Sequence, residues 1–318
     1  MRTTLLAFLS LAVPATAGDF SLSNPIDCDL DGPCFIQQYV DHDPSGDASD
    51  FACSGLSYDG HKGTDFALPT DDMIAEGVDV LATADGVVAG LRDGMDDVRY
   101  SAETAASVEG RECGNGLVLR HADGWETQYC HLRRGSVTVT RGQKIEAGDV
   151  VGQVGMSGRA EFPHLHLSVR KDGAVVDPFE PDGKITCGVV EEDTLWSDMP
   201  SYRAGGIISI GTAANVPEFS AIRANTVPTP APDSDALVIY AFMFGTQKGD
   251  VIRLALDGPT GEVIARDVLL KRAQAQSFRA IGKKRRGTQW AAGTYRGTAT
   301  LLRGKQVIDQ RDVTLSLP

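Results

Sequence analysis

Five side chains in three short stretches have the types and spacing to hold a metal and move protons. The stretches are His61-Lys62-Gly63-Thr64-Asp65, Tyr129-Cys130-His131-Leu132 and His164-Leu165-His166. They contain four of the chain's six histidines and one carboxylate. Imidazole and carboxylate are both zinc donors, and a neutral imidazole accepts a proton near neutral pH. The chemistry indicated is metal-assisted hydrolysis, in which zinc takes three protein ligands and leaves one position for water. His61, Asp65 and His166 fill that count, leaving His131 and His164 for proton transfer. The sequence holds no His-Glu-x-x-His helix motif, which excludes the helical zincin arrangement. Ser157 and Ser168 have no Asp-His partner pattern, so a serine hydrolase is disfavoured. Asp41-His42-Asp43 reads as a solvated turn before it reads as a ligand set, and His121, beside an expected turn, reads as structural.

The elements that must place these residues are strands. His164-Leu165-His166-Leu167-Ser168-Val169 alternates, and in a strand successive side chains point to opposite faces. His164, His166 and Ser168 then share one face, while Leu165, Leu167 and Val169 enter the core. Gly60, Gly63 and Pro69 argue against a helix around His61 and Asp65; a tight loop feeding a strand from Phe66 converges them instead. From Val78 onward, short β runs (Val80-Leu81-Ala82, Val87-Val88-Ala89, Leu117 to Arg120, Val137-Thr138-Val139, Val150 to Val154) are punctuated by glycine and aspartate, which predicts an all-β unit. Residues 92–112 interrupt it with a polar, mostly acidic insertion that either walls a groove or is a surface excursion.

Gly60-His61-Lys62-Gly63-Thr64-Asp65-Phe66 resembles the first zinc motif of the lysostaphin/LytM-type zinc endopeptidases. Tyr129-Cys130-His131-Leu132 resembles that family's Y-x-H-L signature, and Gly158-Arg159 through His164-Leu165-His166-Leu167 resembles its closing H-L-H motif. Asp85-Gly86-Val87-Val88 and Asp177-Pro178 fall where the family has such residues. The likeness covers about residues 55–180. It implies a mainly β fold: a LytM-like antiparallel β catalytic domain of barrel-sandwich hybrid type, with one Zn2+ per chain at the floor of a groove. It implies metal ligands His61, Asp65 and His166, and catalytic roles for His131 and His164, with general base and oxyanion partner left open between them. It implies peptidoglycan stem or cross-link peptides as substrate. Ala160-Glu161-Phe162-Pro163 before H-L-H and Leu167-Ser168 after it depart from the family's frequent residues, and these departures bear on cleavage preference. Two alternatives stay open: a non-enzymatic wall-binding activator of another murein hydrolase, and a zinc peptidase acting on exported proteins.

Arg2, the apolar run Leu5 to Val13 and Ala15-Thr16-Ala17 read as a cleaved signal peptide over 1–17, too short to span a bilayer. The expectation is export across the inner membrane to the periplasm, with no transmembrane segment after the leader. The six cysteines suit up to three disulfides in an oxidising compartment; Cys113 and Cys130 flank an expected hairpin and are the favoured pair. Residues 221–318 carry fifteen Lys/Arg against eight Asp/Glu, a net +7, leaving −20 of the overall −13 on residues 1–220. An acidic part of that size argues against nucleic acid as a partner. The organisation predicted is a disulfide-tied lead-in at 18–55, the metallopeptidase-like domain at 56–187, a connector at 188–235 and an immunoglobulin-like β-sandwich at 236–318. The basic run Lys283 to Arg286 is expected in a loop.

Overall fold

The structure, a computed structural model, describes residues 20–185, 187 and 193–318. The expected leader at 1–17 and the Glu191-Glu192 pair lie outside the described residues. The described chain is mainly β, as the short runs between glycine and aspartate turns predicted.

The N-terminal part is built from β1 (Phe35–Gln38), β2 (Thr64–Ala67), β3 (Asp79–Leu81), β4 (Gly86–Arg92), β5 (Asn115–Arg120), β6 (Trp125–Leu132), β7 (Lys144–Ile145), β8 (Val150–Gln153), β9 (His164–Lys171) and β10 (Ala174–Val176). One antiparallel sheet runs β1-β2-β9-β6-β5-β4-β7, with β10 paired to β9; β3 and β8 form a separate pair. Strand β9 therefore lies between β2 and β6, so the three sequence stretches end up on neighbouring strands. In register, His166 faces Asp65 on one side and Cys130 on the other. The alternation read from β9 holds: Leu165, Leu167 and Val169 join Phe66, Leu119 and Tyr129 in the core. One-turn helices α1 (Met73–Glu76) and α2 (Ala105–Val108) are the only α-helices among the described residues of this part.

Three disulfides tie this part together: Cys28–Cys34, Cys53–Cys187 and Cys113–Cys130. The hairpin pair expected from sequence is one of them. The lead-in also contributes β1, which pairs with β2 and extends the main sheet. The insertion at 92–112 wraps the segment that leads into β9. Asp97 accepts the backbone N–H groups of Met156 and Arg134 (2.7 and 2.9 Å), and the Tyr100 N–H donates to the Ala160 carbonyl at 2.8 Å.

The C-terminal part holds β11 (Gly206–Ala213), α3 (Phe219–Arg223), β12 (Ala236–Thr246), β13 (Val251–Gly258), β14 (Gly261–Leu269), β15 (Gln274–Lys284), β16 (Gly293–Arg303) and β17 (Gln306–Leu317). A three-stranded sheet, β11-β12-β15, and a four-stranded sheet, β14-β13-β16-β17, enclose one apolar core. Leu237, Ile239, Ala241 and Met243 of β12 meet Ile252, Leu254 and Leu256 of β13 there. This is a two-sheet sandwich of the kind expected. Two expectations need correction. The stretch 188–235, expected as a connector, contributes β11, which pairs along β12, and α3, which lies on the N-terminal part. Lys283 and Lys284 are not in a loop: they end β15, paired with Leu237 and Ala236. Only Arg285 and Arg286 follow the strand.

The other face of β12 explains its second apolar row. Phe242 and Phe244, with Ile208 and Ile222, pack against Phe35, Ala67 and Phe162 of the N-terminal part. The Phe35 and Phe244 ring centroids are 4.4 Å apart. Gln276 also donates to the Gln37 side chain across this seam at 2.8 Å. The two parts are therefore joined by a buried apolar contact rather than by a tether alone.

Candidate metal centre

His61, Asp65 and His166 converge. His61 Nε2 lies 3.2 Å from Asp65 Oδ1 and 3.1 Å from His166 Nδ1, and His166 Nδ1 lies 2.8 Å from Asp65 Oδ1. A tetrahedral zinc with ordinary bond lengths sets its donors about 3.3 Å apart. The protonation pattern fits as well. His61 Nδ1 meets the Tyr39 carbonyl at 2.6 Å, which can only accept, so Nδ1 carries the proton and Nε2 keeps its lone pair. The Ser168 hydroxyl donates to the Lys62 carbonyl (2.7 Å) and so accepts from His166 Nε2 (3.1 Å), leaving the Nδ1 lone pair facing Asp65. Three electron-rich atoms at these separations need a cation or a shared proton among them. The partners on the far side of each ring are the kind that orient metal-binding imidazoles.

Local structure explains the placement. Asp65 and His166 are in-register neighbours on β2 and β9, so their side chains leave the sheet on one face. His61 precedes β2 in a loop held by the lead-in: the Asp41 side chain accepts from the Gly60 N–H at 2.9 Å, and the Asp41 N–H donates to the His61 carbonyl at 2.9 Å. At Gly63 a Cβ would stand 2.6 Å from both His166 Nε2 and the Leu167 carbonyl, so only glycine lets the loop cross β9 this closely.

His131 and His164 stand beside this triad with ring centroids 4.7 Å apart. His131 Nδ1 donates to the Ser157 carbonyl and His164 Nδ1 to the Phe162 carbonyl, both at 2.8 Å. Each imidazole thus keeps an unprotonated Nε2; that of His164 is 3.6 Å from Asp65 Oδ1. By alternation His131 belongs on the core face with Tyr129. A left-handed backbone at His131 (φ 65°) and a register shift opposite it, between Asn115 and Leu117, break the alternation. The Cys113–Cys130 disulfide and the His131 N–H to Cys113 carbonyl bond (2.8 Å) brace that turn.

The buried charges divide the five residues into two kinds. Burial opposes a charged His61, but the Asp65 carboxylate and its hydrogen bond outweigh that and raise the imidazole's pKa. Burial also opposes an ionised Asp65, yet His61, His164 and His166 together hold its carboxyl well below the usual carboxylate range. Burial, then the neighbouring His164 and His166, push His131 well below the ordinary imidazole value. Burial lowers His164 too, against the pull of Asp65. Two neutral bases therefore flank an electron-rich triad.

The centre opens into a groove of about 680 Å³. Its walls include Gln37 and Gln38 of β1, Tyr58, Tyr100 of the insertion, and the segment 272–276 from the C-terminal part. The groove-wall alternative for residues 92–112 is thus the one the structure realises.

The remaining sequence candidates lie elsewhere. His42 pairs with Asp177 at 2.7 Å, and Asp41 accepts backbone N–H groups, so this cluster braces the loop behind His61. His121 is held between the Asp85 carbonyl (2.7 Å) and Thr127 Oγ1 (2.8 Å), away from the centre. Sequence reasoning missed the roles of Tyr39, Asn115 and Ser168. Asn115 takes the Ser157 hydroxyl on its N–H (2.9 Å) and donates its side-chain amide to the Met95 and Leu132 carbonyls (2.8 and 3.1 Å). It thereby holds the Ser157 loop against His131. The even spacing His164, His166, Ser168 was the available signal for Ser168.

Residues 59–178 match Peptidase family M23. Over 120 residues the chain is 34% identical to the DD-carboxypeptidase/endopeptidase Mpg of Neisseria meningitidis, covering 37% of this chain and 22% of that protein. Over 133 residues it is 29% identical to the peptidoglycan DD-endopeptidase ShyA of Vibrio cholerae, covering 42% of this chain and 25% of that protein. Among solved structures, the catalytic domain of the prophage-encoded M23 protein EnpA of Enterococcus faecalis aligns with 54% of this chain and 100% of its own length, at 23% identity and TM-score 0.34. The chain spans a quarter or less of the length of these two curated relatives. The match of residues 59–178 to Peptidase family M23 agrees with the lysostaphin/LytM-type resemblance of the motifs.

Proposed function

We propose that this protein is an exported zinc endopeptidase that hydrolyses peptide bonds in the stem or cross-link peptides of peptidoglycan. The observation that carries the reading is the triangle of His61 Nε2, Asp65 Oδ1 and His166 Nδ1, with 2.8–3.2 Å sides, beside two imidazoles whose Nε2 atoms are free. In this reading the triangle holds one zinc, which supplies Lewis acidity toward a scissile carbonyl and toward water. His131 and His164 do the proton work. With Nδ1 tied to a backbone carbonyl, each ring can take a proton at Nε2 and then offer it as a hydrogen-bond donor to developing negative charge or to the departing amine. Their lowered basicity keeps both in the accepting form at neutral pH. The complete set of five weighs against a non-enzymatic activator. The substrate class is supported by ShyA, a relative named as a peptidoglycan DD-endopeptidase. Export is supported by the leader-like start and by three disulfides, which persist in oxidising compartments. Among the described residues no helix is long and apolar enough to cross a membrane.

The test is release of soluble peptide fragments from purified peptidoglycan by the protein alone. Chelation should suppress release, and zinc should restore it. His131→Ala should slow it by about a hundredfold or more. Full-rate cleavage by the metal-stripped protein would overturn the reading.

A further inference from the structure

The groove is not a property of the M23 segment alone. Phe219 and Arg223 of α3, and residues 272–276 before and within β15, line it together with His131, His164 and His166. The C-terminal part therefore stands where substrate must pass, and what it presents there is cationic.

Arg223 is held in place, and among the described residues its guanidinium appears in no ion pair. Its carbonyl accepts the Asp71 N–H at 2.8 Å, and Asn225, two residues on, donates to Asp72 at 2.9 Å, so α3 is pinned to the N-terminal part. Its guanidinium lies over the Phe219 ring, 4.6 Å from the centroid. Its Nε is buried and has no hydrogen-bond partner. Of the two carboxylates near it, Asp71 is already taken by Arg99 through both oxygens at 2.6 and 2.7 Å, and Glu161 lies on the groove lining without an ion pair to it among the described residues. Burial, and then the adjacent Arg99, disfavour the Arg223 charge. A guanidinium on the groove lining with no carboxylate paired to it among the described residues is available to an acceptor from outside the chain.

Two further guanidiniums, Arg272 and Arg159, line the same groove. Among the described residues neither appears in an ion pair; Arg159 lies over the Tyr100 ring at 5.4 Å and close enough to Glu112 to lower its pKa. Apart from Asp65, which is turned to the imidazoles, Glu161 is the one carboxylate on the lining. The groove thus carries a local positive excess in a chain whose net charge is −13. Guanidinium groups match carboxylates in shape as well as charge.

We propose that Arg223 and Arg272, supplied by the C-terminal part, bind a free carboxylate of the peptide substrate and make the groove selective for anionic peptides, an inference that rests on the peptidase reading above. The Arg223 guanidinium, on the groove lining, meets that carboxylate, and Arg272 closes on it from the loop before β15. The sandwich is then a specificity element of the catalytic groove.

The test uses the full chain and two short peptides identical except that one ends in a carboxylate and the other in a carboxamide. Calorimetry should show tighter binding of the carboxylate by roughly tenfold or more. Arg223→Gln with Arg272→Gln should abolish that preference, the loss falling mainly on carboxylate binding. Arg272→Gln alone, on an exposed loop position, should reduce it even if the Arg223 variant folds poorly. Equal binding of both peptides by the unaltered protein would overturn the assignment. So would a preference that survives the double change, since the carboxylate would then be held elsewhere, as at a metal. A preference lost in the double variant, with neither peptide hydrolysed by the unaltered protein, supports the carboxylate site and overturns the peptidase reading only.

Discussion

Apart from His61 in its loop, the N-terminal part sets its candidate functional side chains on strands of four to eight residues, whereas the sandwich stacks strands of eight to twelve residues around an apolar core. All six histidines and all six cysteines belong to the first; residues 206–318 contain neither. In the sandwich, alternation assigns the core-facing residues of strands such as β12, with register shifts where β11 meets β12, β13 meets β14 and β16 meets β17. In the N-terminal part, alternation is broken at His131, beside the histidine and aspartate cluster, and the break is braced by a disulfide, a buried Asn115 and the Ser157 loop. Regular strands give stability through area. A site needs atoms held at set distances, which takes fully satisfied polar contacts at irregular backbone.

That contrast breaks most visibly at Leu254, buried in the sandwich core. Leu254→Ala should cost about 2–5 kcal/mol in urea unfolding. Zinc stoichiometry, read by elemental analysis of the folded protein, should not change. Loss of metal in step with stability would show that the two parts are not separable. Ser168→Ala sharpens the same contrast from the other side. Removing the hydroxyl frees the His166 ring and leaves the Lys62 carbonyl without its donor. Zinc affinity should fall by about 10–100-fold, measured by competition with a chelating dye, with a smaller stability loss than Leu254→Ala. Unchanged affinity would remove Ser168 from the site's support.

The smallest effect concerns pH and should reside in the histidine-bearing part. Burial lowers the His121 pKa, against the pull of the Asp85 carbonyl and carboxylate. As pH falls below about 6.5 the unfolded chain takes up this proton before the folded one does, so stability is present above that range and is lost on acidification. His121→Asn should shrink the difference in urea midpoint between about pH 7.5 and about pH 5.5. An unchanged difference would assign the acid sensitivity to other groups.

Much of the site is legible in the amino-acid sequence. The period-two run at His164 to Val169 places two imidazoles and Ser168 on one face, and the His61–Asp65 spacing between glycines reads as a converging loop. The strand that completes the sandwich, β11, is hidden in a stretch rich in glycine and acid. The turn at His131 is hidden because a left-handed residue inside a strand leaves no periodic trace. Local pattern also cannot reveal that Tyr39 orients His61 or that the Lys62 carbonyl anchors Ser168. Those contacts join residues 22 and 106 positions apart.

By itself the amino-acid sequence determined which residues could act and, on β9, which face they occupy, because side-chain direction in a regular strand follows from neighbouring residues alone. Only the tertiary structure decided that β2, β6 and β9 lie side by side, that His131 turns out of the core, and that Arg223 and Arg272 reach the groove from the far end of the chain. Those outcomes depend on which distant surfaces pack together, and the free energy of that packing is shared over many contacts rather than written in any one segment.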